Sequence, residues 1–165
     1  MSAKIIRRVA IMSTLCFVLR LAFSGLPSVQ PITALLLVYL LYFGLTEVML
    51  AMGIGMFLSA FPLGFGPWIF WQIMCFSFVL ILWRCVCYPL ANKFLRVSVI
   101  AQAVGAAFCA FLYGVMIDSC FAYLYSMSWW SYVLAGMSFN MVHTVSTLFF
   151  FPLILMFLKR RLGGK

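Results

Sequence analysis

Long, unbroken apolar runs separated by short basic clusters decide what this chain can fold into. Residues 48–83, 97–117 and 119–158 contain no Asp, Glu, Lys or Arg. A membrane-spanning helix needs about 20 mostly apolar residues, and the runs lack the alternation of a membrane barrel strand. With 67% hydrophobic and 8% charged residues, the chain has too little polar material to cover a soluble globule. The expected class is an all-α membrane protein, with residues 1–165 forming one transmembrane domain and no room for a separate soluble one.

A net charge of +9 in a soluble chain would point to nucleic acid. Here the basic residues read instead as topology signals. Lys4, Arg7 and Arg8 precede the first run, Arg84, Lys93 and Arg96 surround an interior break, and Lys159, Arg160, Arg161 and Lys165 follow the last. Positive residues stay cytoplasmic, so the three clusters should share one side, with an even number of spans between them. The start resembles a signal peptide ending at Ala22-Phe23-Ser24, but Arg20 interrupts its apolar stretch, which favours a retained first helix. The bilayer is the expected partner, and nucleic acid is not.

Six transmembrane helices with cytoplasmic N- and C-termini satisfy these signs, at about residues 9–25, 31–43, 47–60, 68–88, 97–125 and 131–158. Gly25 and Pro27 end the first, and Pro31 starts the second. The third is short and contains Gly53 and Gly55, so five or seven spans stay open as variants. Pro89 and Asn92 mark the cytoplasmic break, and the fifth span is long enough to require tilt. The predicted external loops carry no charged residue, and Trp68, Trp129 and Trp130 edge them like an interfacial belt.

Residues 62–72 crowd Pro62, Gly64, Gly66, Pro67, Trp68, Trp71 and Gln72 between apolar runs. Non-helical backbone near membrane depth needs protein or a wet cavity to satisfy it. The stretch is therefore either a binding or gating loop or a turn anchored by tryptophans. Arg20 and Asp118 are charges placed inside apolar spans, which is expensive in hydrocarbon. Counted from Gly25 and Tyr125, both lie on the order of 10 Å below the outer surface, a match that predicts an ion pair. It either fixes helix arrangement or floors a ligand cavity. Asn140 shares that depth and His143 lies a turn deeper on nearly the same face, extending the polar layer or packing by hydrogen bonds. Glu47 suits a helix N-terminus.

Small residues repeat at four-residue spacing in Ala51, Gly55 and Ser59, in Ala106, Ala110 and Gly114, and in Ala10 and Thr14. Such stripes let helices approach closely, inside the bundle or against another subunit. The six cysteines show no zinc or disulfide spacing and read as small apolar residues. No nucleophile elbow, metalloprotease motif, phosphate loop or acid pair is present. With two acids and one histidine, the chain is expected to bind rather than catalyse, with no metal or cofactor of its own.

Leu26-Pro27-Ser28-Val29-Gln30-Pro31 and Gly66-Pro67-Trp68-Ile69-Phe70-Trp71-Gln72, with Arg20 upstream, resemble the S components of energy-coupling-factor (ECF) vitamin transporters. The second segment is similar to the opening of the fourth helix in a cobalamin-type branch. The resemblance implies a six-helix subunit of a bacterial plasma membrane that captures a vitamin from outside. It would dock on a transmembrane coupling subunit served by two ATPases, so that ATP is used by the partners. On that basis the substrate is cobalamin or a related corrinoid, with riboflavin, a queuosine precursor or pantothenate as alternatives. The implied binding residues are Arg20, Gln30, Trp68, Trp71, Gln72, Asp118 and Asn140. The family's Ala-x-x-x-Ala docking pattern on helix one is represented by Ala10 and Thr14. A non-transporting membrane scaffold is the rival reading, and a membrane enzyme a second one.

Overall fold

The structure, a computed structural model, describes residues 2–94 and 99–162. Among these residues there is no strand, and the chain forms six helical rods. These are α1 (Ala3–Ala22), α2 (Ile32–Tyr42), α3 (Leu45–Leu63), α4 (Trp68–Leu82, continued by a π-helical turn at Trp83–Cys87 into Tyr88–Phe94), α5 (Val99–Leu124) and α6 (Trp129–Leu162). Four of them, α3 to α6, are long and apolar enough to cross a membrane. Large apolar side chains such as Phe70, Ile100, Val145 and Phe149 are exposed on the outside of the bundle, while Thr33, Ser59, Gln102, Asn140 and His143 are buried. That inverted pattern suits a lipid solvent, in which apolar surface costs nothing and polar groups need internal partners.

At the centre stands α2. Residues 32–38 and Leu40 are buried, as befits a helix that is apolar all round, and α2 touches each of the other five rods. Its 11 residues rise only about 16 Å, roughly half of a hydrocarbon core. Around it, α1 packs chiefly on α3 and α5 chiefly on α6, while α4 bridges α3 and α5.

Both main stripes of small residues are internal seams. A Cβ at Gly55 would sit 2.6 Å from Cys16 Cβ and 3.1 Å from the Ser13 carbonyl, so α1 and α3 meet only because Gly55 has no side chain. Ala51 and Ser59 continue that buried line. Ala106, Ala110 and Gly114 are also buried, with Gly114 facing Asn140 of α6. At the end that carries the basic residues, Arg8 Nη1 lies 3.8 Å from Glu47 Oε2 in the first turn of α3.

Several boundaries differ from expectation. The third helix is not short: α3 has 19 residues and carries Pro62 one residue before its end, so the bond the proline lacks is lost only where the helix is already stopping. It stops at Gly64, whose φ of 106° glycine adopts without strain. Residues 62–72 therefore shrink to a turn at 64–67 between two helices. The break at Pro89 is also absent, because the helix passes through the π-helical turn just before it. A proline ring collides with the carbonyl four residues back in a regular helix, and a wider turn makes room for it. α6 likewise runs on through Pro152 for 34 residues. The side chains of Asn92 and Lys93, residue Arg96, the expected start of the fifth span at 97 and Lys165 lie outside the described residues.

Candidate polar cavity

Irregular backbone does reach into the bundle, at residues 28–31 of the 23–31 segment rather than at 64–67, while residues 24–27 stay exposed. Phe23 packs edge-on against Phe150 with centroids 5.8 Å apart, and the Ser28 carbonyl faces His143 Nδ1 at 3.3 Å. His143 is about four turns along α6 from Trp129, so this segment is recessed from the level of the α5–α6 turn. Short-range bonds run from its Phe23, Leu26 and Val29 amides to the carbonyls of Leu19, Phe23 and Leu26. Ser28 takes a φ of 58°, a region non-glycine residues rarely use.

His143 holds the segment from below. Its Nε2 lies 2.9 Å from Thr33 Oγ1 at the start of α2. A carbonyl can only accept, so Nδ1–H donates to Ser28, while Nε2 shares its bond with the Thr33 hydroxyl. The buried imidazole is thus bonded at both nitrogens. Among the described residues no group of three metal-ligating side chains surrounds it or forms elsewhere.

Over His143 lies a cavity of about 220 Å³. The recessed segment contributes Ser28 and Gln30, α4 contributes Gln72, α5 contributes Tyr113, Gly114, Ile117, Asp118 and Phe121, and α6 contributes Phe139, Asn140 and His143. Asn140 Nδ2 donates to Asp118 Oδ2 at 2.7 Å. Two glycines make space for this pair, since a Cβ at Gly114 would collide with the Asn140 amide and one at Gly136 with the Asp118 carboxylate. A second cavity of about 440 Å³ shares Asp118, Phe121 and Phe139 and continues along α5 and α6 to Met127 and Ser131.

Arg20 does not pair with Asp118. Its Nη2 donates to Gln72 Oε1 at 3.2 Å, and among the described residues the one salt bridge is Arg8–Glu47. Depth along each helix does not decide partners: α1 packs on α3 and Arg20 reaches Gln72 of α4, whereas Asp118 bonds Asn140 of α6.

Of the residues singled out in the sequence, Gln30, Gln72, Asp118 and Asn140 meet at this cavity, and Arg20 joins them through Gln72. Trp68 and Trp71 do not line it. Trp68 instead lies against Gly66, where a Cβ would collide with its ring. Ser28, Tyr113, Gly114 and Gly136 were missed as site residues. Gly114 and Asp118 are four residues apart and share a helix face, but nothing local shows which side chain a glycine accommodates. Ala10 and Thr14 are exposed and line a separate groove of about 450 Å³ with Ile54 and Leu58 of α3. The described cysteines are free, and two thiol pairs touch across α4 and α5, Cys75–Cys120 at 3.8 Å and Cys87–Cys109 at 3.6 Å. No protein family, curated protein or solved structure matches the chain.

Proposed function

We propose that this chain is the substrate-binding S component of an ECF-type vitamin transporter in a bacterial plasma membrane. The observation that carries the reading is a cavity with Gln30, Gln72, Asp118 and Asn140 on its walls, set inside an otherwise apolar bundle. Polar groups at membrane depth are costly, and they mark substrate paths when they face a cavity. The resemblance at residues 26–31 and 66–72 supports the same reading, because both segments border this end of the bundle. In it, six spans place both termini in the cytoplasm and the cavity toward the outside. A transmembrane coupling subunit with two ATPases supplies the energy and docks at the groove containing Ala10 and Thr14. The chain itself binds and does not catalyse.

Resemblance assigns cobalamin or a related corrinoid as substrate. A cavity of about 220 Å³ falls below the roughly 300–1,000 Å³ usual for drug-sized ligands. A corrinoid therefore requires the second cavity and the α5–α6 turn to open, while a compact ring such as a queuosine precursor demands less movement.

The test is to purify the chain without partners, identify any co-purifying small molecule by mass spectrometry, and titrate cyanocobalamin, riboflavin, a queuosine precursor and pantothenate into nanodiscs. Saturable one-to-one binding of one ligand is expected. Ala10→Trp should leave that binding unchanged and abolish uptake by the assembled transporter. A folded chain that retains and binds none of these ligands would favour the scaffold reading.

A further inference from the structure

The polar groups around the cavity divide into engaged and free atoms. Both nitrogens of His143 are bonded, to Ser28 and Thr33. Gln72 Oε1 is taken by Arg20, which leaves Gln72 Nε2 to donate. Asn140 Nδ2 is spent on Asp118 Oδ2, which leaves Asn140 Oδ1 and Asp118 Oδ1 as neighbouring acceptors. No Lys or Arg lines the space: the guanidinium of Arg20 bonds Gln72, and both nitrogens of His143 are already bonded.

A half-buried carboxylate on the cavity wall, bonded to an amide, has no cation beside it among the described residues. The two glycines that seat it and Asn140 make its placement specific. A second anion brought beside it would meet repulsion in a medium that screens poorly. N–H donors would find the remaining acceptor oxygens of the bonded Asp118–Asn140 pair on α5 and α6, and a ligand carbonyl would find the Gln72 amide on α4.

We infer that this cavity takes a ligand presenting adjacent N–H donors, as an amino-lactam, amidine or carboxamide edge does, to Asp118 and Asn140, and that it rejects ligands carrying a carboxylate. The inference rests on the reading of the cavity as the substrate site and adds its chemical selectivity.

The full chain in nanodiscs is titrated with guanine as an amino-lactam probe, cyanocobalamin as a carboxamide-rich one and pantothenate as an anionic one, with any co-purified molecule added to the set. Guanine or cyanocobalamin, or a co-purified molecule with such an edge, should bind, and pantothenate should not. Asp118→Asn, which keeps the side chain's shape, should weaken the bound probe about 10- to 100-fold while its melting temperature without ligand stays near wild type. Binding of pantothenate or of another carboxylate ligand, or an Asp118→Asn affinity within about threefold of wild type, overturns the inference and leaves the S-component reading standing. Absence of binding by every probe together with absence of a co-purified molecule overturns both. The wild-type preference against pantothenate needs no variant, so the selectivity stays measurable if Asp118→Asn does not fold.

Discussion

Asn140 and Asp118 form one hydrogen-bonded unit across α5 and α6, Nδ2 to Oδ2 at 2.7 Å, and each is seated against a glycine of the other helix. Asn140 of α6 lies over Gly114 of α5, and Asp118 of α5 lies over Gly136 of α6. The reciprocity lets two polar side chains occupy the closest part of a helix interface without forcing the rods apart.

Gly114→Ala and Gly136→Ala should each destabilise the fold by about 1–3 kcal/mol, because the added methyl meets a side chain held by a hydrogen bond. Gly53 has open space around it, so Gly53→Ala should stay within about 1 kcal/mol of wild type. Thermal unfolding in one detergent compares all three.

Gly55→Leu should do more harm than either. The obstruction there is Cys16 Cβ and the Ser13 backbone, neither of which can swing aside. A loss of about 3 kcal/mol or more is expected, visible as a lower melting temperature. Pairing it with Cys16→Ala should recover little, because the Ser13 carbonyl remains.

Arg20 and Gln72 should couple in a double-mutant cycle on stability by about 0.5–3 kcal/mol, through the bond at 3.2 Å. Arg20→Asp combined with Asp118→Arg should show no rescue, since the two side chains hold different partners. Rescue by the double swap would place them in contact and refute this arrangement.

His143→Ala should loosen residues 23–31 and cost about 1–3 kcal/mol, because it strands the buried Thr33 hydroxyl. Thr33→Val should cost less, as it leaves the bond to Ser28 in place. Hydrogen–deuterium exchange should rise over residues 23–31 in His143→Ala and change little at 64–67.

Trp68→Ala should alter ligand affinity by less than about threefold, because the ring rests on Gly66 and does not line the cavity. Gln72→Ala should weaken the same ligand by about tenfold. Equal losses in the two variants would bring Trp68 back into the site.

The amino-acid sequence alone determined the solvent and the class of this protein. Continuous apolar runs allow helices and exclude both a soluble globule and a barrel, and that requirement is local, met residue by residue along each run. It also placed Gln30, Gln72, Asp118 and Asn140 toward one end of the bundle, because depth along a helix is a matter of counting residues. Partners were another matter. Arg20 with Gln72, Asp118 with Asn140 and His143 with Thr33 join residues 52, 22 and 110 positions apart, and such pairs depend on which rods adjoin and how each is rotated. The passage of α4 through Pro89 and the entry of residues 23–31 beside α6 were likewise decided by the tertiary structure. Local propensity marks where a chain is able to bend, while packing against neighbours selects which bends bring groups such as Ser28, Thr33 and His143 together.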